Sequence, residues 1–350
     1  MRKNLNLTFQ IAAVFIGTIV GAGLASGQEI KQFFTLYGYK SFLGIFICCI
    51  AYILVNYMII ELSIRYRLNS YNQLITLVSP GFLGKITDIL TGVFLVSGAA
   101  IILAGSGALL HQYFGFSKWI GIILMALISL FILLRDTKGL IEVNSFIVPS
   151  LIIVLSTVFI LYTLLGKGPM NITYIKAIPA YKSNWLLSCL LYSGFNILCC
   201  SGVLVPLSNQ INNKRTVLFG VVLGALGLTI LAFMINLLLM LNTPYIFKYE
   251  IPLLYIANRF GNIIQVMLLC IIWLEMFSTE VSNIYSVGKT LEQALSISYK
   301  KGVILILIIA LPISQIGFVN LIHILYPAFG AISLLFIIQC TYFYFRKFRH

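Results

Sequence analysis

Long apolar runs alternate with short polar segments along this chain. Runs of about 20 residues are long enough to cross a bilayer as a helix. They fall at 8–37, 41–64, 86–112, 117–134, 140–165, 184–209, 215–241, 259–286, 302–319 and 321–345. The gaps carry turn and charge signals: Arg65-Tyr66-Arg67, Arg135-Asp136-Thr137-Lys138-Gly139, Gln210 to Arg215, and Tyr299-Lys300-Lys301. The pattern predicts an all-α integral membrane protein with ten transmembrane helices. Two connections are longer, 166–183 and 242–258. The second (NTPYIFKYEIPLLYIAN) is apolar and aromatic enough to predict a short helix lying over one mouth of the bundle.

Composition sharpens that reading. The chain is 60% hydrophobic and 9% charged, which excludes a soluble globular domain of this length. The spans use up the sequence, so a single transmembrane domain over 1–350 is expected. Met1-Arg2-Lys3 is followed by a long apolar segment without a small-residue cleavage site, so no secretory leader is read here. The net charge of +14 reports membrane topology, and nucleic acid is not an expected partner. An even number of spans puts both termini on one side. With that side inside, fifteen of the 23 Lys and Arg fall in inner segments and eight in outer ones. The bias places both termini in the cytoplasm of a plasma-membrane protein, with 166–183 and 242–258 outside. The seven cysteines all lie in apolar segments without Cys-x-x-Cys spacing and read as packing residues.

The candidate chemistry starts in the first span, where residues 17–27 read GTIVGAGLASG. Glycine costs about 1 kcal/mol in a helix interior. Gly17, Gly21, Gly23 and Gly27 therefore mark either a close helix–helix contact or a break in the helix. At bilayer depth the backbone groups freed by a break must face protein or a polar cavity. Ten spans divide into two sets of five, about 8–165 and 184–345. An odd-numbered repeat inverts, so the sixth span should be interrupted like the first. It carries Ser193-Gly194-Phe195-Asn196 near its centre, followed by Ser201-Gly202 and Pro206. Paired interruptions in two halves point to a transporter binding site. Amides at such a break suit a carboxylate, and carbonyls suit a cation. Together they suit a zwitterion such as an amino acid, with Phe195 packing on it or closing over it.

Span eight holds Leu274-Glu275-Met276-Phe277-Ser278-Thr279-Glu280. A mid-span carboxylate is expensive and marks a functional candidate. Ser278 and Thr279 share its helical face, and such oxygens suit a hard cation. The alternative is a protonated Glu275 bonded to a neighbouring helix. Glu280 is read as nearer the cytoplasmic end, in a solvated, gating or ion-coupling role. Glu29 is read as a gate or a cap of the outer half-helix. Glu61 and Glu142 are read as interfacial, and Asp88 as opening span three.

The motifs GTIVGAGLASGQE and SGFN, with the polar periodicity after span eight, resemble the YkvI-like amino acid permease family over nearly the whole chain. That group belongs to the amino acid–polyamine–organocation superfamily. The resemblance implies the five-plus-five inverted-repeat fold of the bacterial leucine transporter, with helices one and six broken. It implies carboxylate contacts from the amides of Ala22, Gly23 and Leu24, beside Gly21. It places the sixth-span break and gate at Ser193, Gly194 and Phe195, next to Asn196. It implies a sodium ion between the carbonyls of Gly17 and Val20 and the Glu275 carbonyl, Ser278 and Thr279. No Lys or Arg lies between Ile141 and Gly166 to replace that ion. The Glu275 side chain departs from the family pattern, so its protonation is an alternative to sodium.

The expected function is secondary transport of an amino acid or similar zwitterion, with sodium or protons as coupling ion and no other cofactor. In that fold, spans one, two, six and seven rock against three, four, eight and nine. A ligand sensor on a permease scaffold is the alternative. A membrane enzyme is not expected, because the chain has no His-rich metal cluster, paired aspartates or nucleophile elbow.

Overall fold

The computed structural model describes residues 2–79, 81–135, 138–165, 172–295 and 297–348. Its elements are helical. The first apolar run divides into α1 (Arg2–Ile19), α2 (Ala22–Ser26) and α3 (Gln28–Phe33). A 3-10 turn at Thr35–Lys40 leads into α4 (Ser41–Tyr66), followed by α5 (Tyr71–Val78), α6 (Phe82–Phe114) and α7 (Lys118–Arg135). Next come α8 (Lys138–Leu165), α9 (Ile172–Ala177), α10 (Trp185–Ile211) and α11 (Lys214–Met240). The chain closes with α12 (Pro252–Ala257), α13 (Asn262–Leu295), α14 (Tyr299–Ser314) and α15 (Phe318–Phe348). Among the described residues, 7 helices are long and apolar enough to cross a membrane. Asn6–Ile19 and Lys118–Leu134 are shorter apolar helices, and α14 has 16 residues.

Glycine sets the closest helix contacts. A Cβ at Gly220 would lie 2.6 Å from Ile11 Cβ, and one at Gly224 would lie 2.8 Å from Phe15 Cδ1. The four-residue spacing of these glycines puts both on one face of α11, against α1. On α15, a Cβ at Gly330 would meet the Leu191 carbonyl oxygen of α10 at 2.6 Å. The reciprocal contact is Gly194, whose Cβ would sit 3.3 Å from the Gly330 carbonyl oxygen.

That contact corrects the expectation for span six. No break occurs at Ser193–Asn196: α10 runs unbroken for 27 residues. Ser193 and Asn196 each bond back to their own helix. Ser193 Oγ donates to Leu190 O at 3.1 Å, and Asn196 Nδ2 donates to Tyr192 O at 3.0 Å. Gly194 serves packing, and Pro206 lies inside the helix without ending it.

The 242–258 connection contains α12, as its composition suggested. Gln112 of α6 ties it down through two bonds: Nε2 donates to Ile251 O at 2.9 Å, and Ile251 N donates to Oε1 at 2.9 Å. Lys118 of α7 pairs with Glu250, and Lys31 of α3 donates to Tyr249 O at 3.2 Å. The connection thus bridges the end of the first run to α6 and α7.

Candidate functional site

Helix α1 ends where Val20 N donates to Ile16 O at 2.7 Å. Gly21 is extended (φ −123°, ψ −167°), and α2 begins at Ala22. The first-turn amides of a helix have no carbonyl partner within it, and here those are Ala22, Gly23 and Leu24. The last-turn carbonyls of α1, from Gly17 onward, are in the complementary position. The second joint is Gly27, in the left-handed region at φ 81°. Glycine reaches that conformation without a Cβ penalty. Its amide donates to Leu24 O at 2.9 Å, and α3 starts immediately after it.

The four glycines of the motif have different neighbours. Gly17 packs on α8: a Cβ there would lie 2.8 Å from Val148 Cγ2. A Cβ at Gly21 would lie 3.8 Å from both the methyl and the hydroxyl of Thr279 on α13. Gly23 leaves room for the Glu29 side chain, onto which a methyl group would fall directly. Gly27 abuts Leu253 of α12. The motif therefore combines a close helix contact with an interruption, the two uses between which its composition could not choose.

Across from the break, α13 presents the expected oxygen-rich face. Thr279 Oγ1 donates to the Glu275 carbonyl at 2.9 Å, an oxygen that in a continuous α-helix also accepts from the Thr279 amide. Glu275 and Ser278 are buried, and Glu275 Oε1 has no hydrogen-bond partner. Glu280 is not solvated: it is 0% exposed, and both its carboxylate oxygens lack a partner. Helix α13 runs for 34 residues, so Glu280 lies far deeper than its distance from the next polar segment suggested. The side chains of Asp88 and Glu142 lie outside the described residues. Glu61 is ion-paired, its Oε2 2.8 Å from Lys214 Nζ, and it accepts from the Tyr344 hydroxyl at 2.6 Å.

A second polar group surrounds the break on its α10 and α15 side. Glu29 is 2% exposed, its Oε2 is unpartnered, and it lies beside Tyr192 and Tyr326. Its chain turns back toward Gly23 and makes no side-chain cap for α3. The Gln28 amide and the Tyr192 hydroxyl also lack partners. Asn196 Nδ2 reaches the Tyr52 hydroxyl at 3.2 Å. Buried polar atoms without partners are costly in a protein interior and mark sites needing explanation. Tyr52, Tyr192 and Tyr326 are site residues that the sequence reading missed. The available signal was a phenol inside an apolar span, which alone also fits ordinary core packing.

The structure thus brings Gly21 and Thr279 together, and sets Asn196 and Phe195 next to the tyrosines that lie beside Glu29. Ser193 and Gly194 turn to α10 itself and to α15. Among the described residues, no group of three or more His, Cys, Asp or Glu could hold a metal ion. A sodium ion at the expected position would instead rest on carbonyls and hydroxyls.

No protein-family model matches the chain. It is 30% identical over 337 residues to the uncharacterized membrane protein YkvI of Bacillus subtilis strain 168, covering 96% of each chain. It is 25% identical to the uncharacterized protein YyaD of the same organism, covering 95% of each. Solved structures with a similar fold include MhsT in complex with L-phenylalanine (TM-score 0.68, 16% identity, 94% of this chain and 88% of that one). Mhp1, a nucleobase-cation-symport-1 family transporter with bromovinylhydantoin bound, superposes with a TM-score of 0.65 at 14% identity, over 89% of this chain and 73% of that one. A manganese transporter of Eremococcus coleocola gives a TM-score of 0.63 at 17% identity, over 97% and 78%. This chain belongs to the YkvI family of membrane proteins and has the LeuT-type fold of these transporters.

Proposed function

We propose that the protein is a secondary active transporter of an amino acid or similar small zwitterion, coupled to sodium or protons, working by alternating access. The observation that carries this reading is the break at Val20–Gly21, which faces Thr279 across a half-buried interface. In this reading the chain crosses the plasma membrane ten times, with both termini in the cytoplasm. The substrate carboxylate meets the amides of Ala22, Gly23 and Leu24 beside Gly21. Ser193, Gly194, Phe195 and Asn196 contribute the α10 wall. The coupling sodium lies between the carbonyls of Gly17, Val20 and Glu275 and the hydroxyls of Ser278 and Thr279. Proton coupling would use the Glu275 carboxyl instead.

All three structural neighbours named above carry small organic compounds, and one is by name a cation symporter, which supports a small organic cargo moved with a cation. The test is counterflow of labelled amino acids into proteoliposomes under an inward sodium gradient and, separately, an inward proton gradient. Accumulation of one amino acid under either gradient is expected. A full amino-acid panel with no accumulation under either one would overturn the reading.

A further inference from the structure

The break has a carboxylate beside it that the amide-and-carbonyl scheme does not use. Glu29 opens α3, and Phe33 lies one turn on, so the two share a helical face. Phe33 belongs to a closed circuit of four aromatic side chains from three helices. Its ring centroid is 5.3 Å from that of Tyr192, Tyr192 is 5.5 Å from Phe195, Phe195 is 4.7 Å from Tyr326, and Tyr326 is 6.5 Å from Phe33. Two members of this circuit, Tyr192 and Tyr326, lie beside the Glu29 carboxylate, and the Tyr192 hydroxyl has no hydrogen-bond partner. Glu29 Oε2 has no hydrogen-bond partner. Among the described residues, the ion pairs are Lys118–Glu250 and Lys214–Glu61. Glu29 is in neither, and nearby Lys31 bonds the 242–258 connection instead.

A buried carboxylate beside aromatic rings has the chemistry of ammonium recognition. The carboxylate accepts charge-assisted hydrogen bonds, and the ring faces attract the cation. The same carboxylate disfavours a lone anion in this space, because it already lies against Gly23 at the first turn of α2. A crevice of about 380 Å³, lined by Gln32, Phe33, Lys182, Ser188, Leu191 and Pro327 among others, reaches the circuit at Phe33. That volume is in the range of small-molecule sites.

We propose that Glu29, within the circuit of Phe33, Tyr192, Phe195 and Tyr326, binds the ammonium group of the ligand, and that the ligand must therefore be an organic amine, with or without a carboxylate. The inference rests on the transporter reading for the location of the site, and it names the group the ligand cannot lack.

The test uses purified full-length protein in lipid nanodiscs and two matched probe sets. One is valine, isobutylamine and isovalerate; the other is phenylalanine, phenethylamine and 3-phenylpropionate. Thermal stability reports binding by mass action. In at least one set the amine and the amino acid are expected to raise Tm, and the acid to leave it unchanged. Glu29→Gln should weaken amine binding about tenfold or more, the size of a lost charge-assisted bond. Tyr326→Phe, which keeps the ring, should weaken it by a smaller factor and covers the case in which Glu29→Gln misfolds. The proposal is overturned if an acid binds as tightly as its matched amine. It is also overturned if both variants bind amines like the wild type, or if no amine-bearing probe shifts wild-type Tm at up to about 10 mM, above the usual KM range. Counterflow of the same probes separates the two readings. Glu29-dependent amine binding without counterflow would remove transport and keep the ammonium site. Acid counterflow that survives Glu29→Gln would keep transport and remove the ammonium site.

Discussion

Replacing Thr279 by valine isolates one oxygen at the interface between the broken helix and α13. Valine keeps the branched shape, so the methyl beside Gly21 stays in place and no cavity forms. The lost hydroxyl donates only to the Glu275 carbonyl of its own helix, at 2.9 Å. Side-chain hydrogen bonds inside membranes average about 0.6 kcal/mol. Without sodium the variant should therefore lie within about 0.5 kcal/mol of wild type. Sodium changes the comparison if Thr279 is a ligand. A site with Kd of about 10 mM stabilises the folded protein by about 1.4 kcal/mol in about 100 mM sodium. Losing one oxygen ligand and about tenfold in affinity leaves about 0.4 kcal/mol. The assay is thermal unfolding in sodium chloride against potassium chloride, with Thr279→Ser as the variant that retains the hydroxyl. The expected pattern is a sodium-specific Tm rise in wild type and Thr279→Ser, reduced by more than half in Thr279→Val. An equal sodium effect in all three refutes Thr279 as a ligand. No sodium effect in wild type refutes the ion site.

Three further perturbations test the scaffold around that interface. Lys214 and Glu61 form a 2.8 Å ion pair with side chains 35% and 20% exposed, so a double-mutant cycle of Lys214→Met and Glu61→Gln should give a coupling of about 1 kcal/mol that shrinks in high salt. A coupling that salt leaves unchanged would mean that the pair acts through packing. Gly330→Ala drives a methyl into the Leu191 carbonyl, which cannot swing aside, and should lower stability by about 1–3 kcal/mol. Gly194→Ala, with contacts no closer than 3.3 Å, should cost less, and the reverse order in thermal unfolding would contradict the α10–α15 contact. Gln112→Leu leaves the buried N–H of Ile251 unpaired, at about 1–3 kcal/mol, while the Ile251 carbonyl keeps the Leu254 amide at 3.2 Å, and hydrogen exchange across 249–254 should accelerate; unchanged exchange would show that the Gln112 clamp does not hold the connection.

Much of this architecture was legible because membrane helices announce themselves by length and apolarity, and because four glycines within eleven residues weaken a helix. The 17–27 motif marked the place where the first helix stops. What each glycine does was not legible, since that depends on partners distant in sequence: Val148 for Gly17, Thr279 for Gly21, and the returning Glu29 side chain for Gly23. Gly194 was misread for the same reason. Beside serine and asparagine it looked like an interruption, whereas it accommodates Gly330. Glu280 looked close to solvent because polar residues follow it, but α13 continues past them and neighbouring helices cover it. The tyrosines beside Glu29 carried no local signal, because only the fold brings α3, α10 and α15 to one point.

The two helices that meet at the break, α1 and α2, are held by different partners. On one side of the break, α1 lies in the groove that Gly220 and Gly224 open on α11, where its Ile11 and Phe15 leave no room for a Cβ. On the other side, α2 rests on α13, and α3 meets α10, α11 and α15. A continuous helix clamped at both ends would resist any displacement of α11 relative to α13, because the i to i−4 ladder is stiff. An extended Gly21 and a left-handed Gly27 remove that stiffness at two points, so the short α2 can change its angle to both neighbours without breaking a ladder bond. Helix α10 has no such joint and must move as one piece. Relative motion of the α11 and α13 sides would therefore concentrate at Val20–Gly21, where the amides of α2, the Glu29 carboxylate and the Thr279 hydroxyl converge. A ligand or ion bound there would hold both sides at once, which is the physical requirement for coupling its occupancy to the position of the helices.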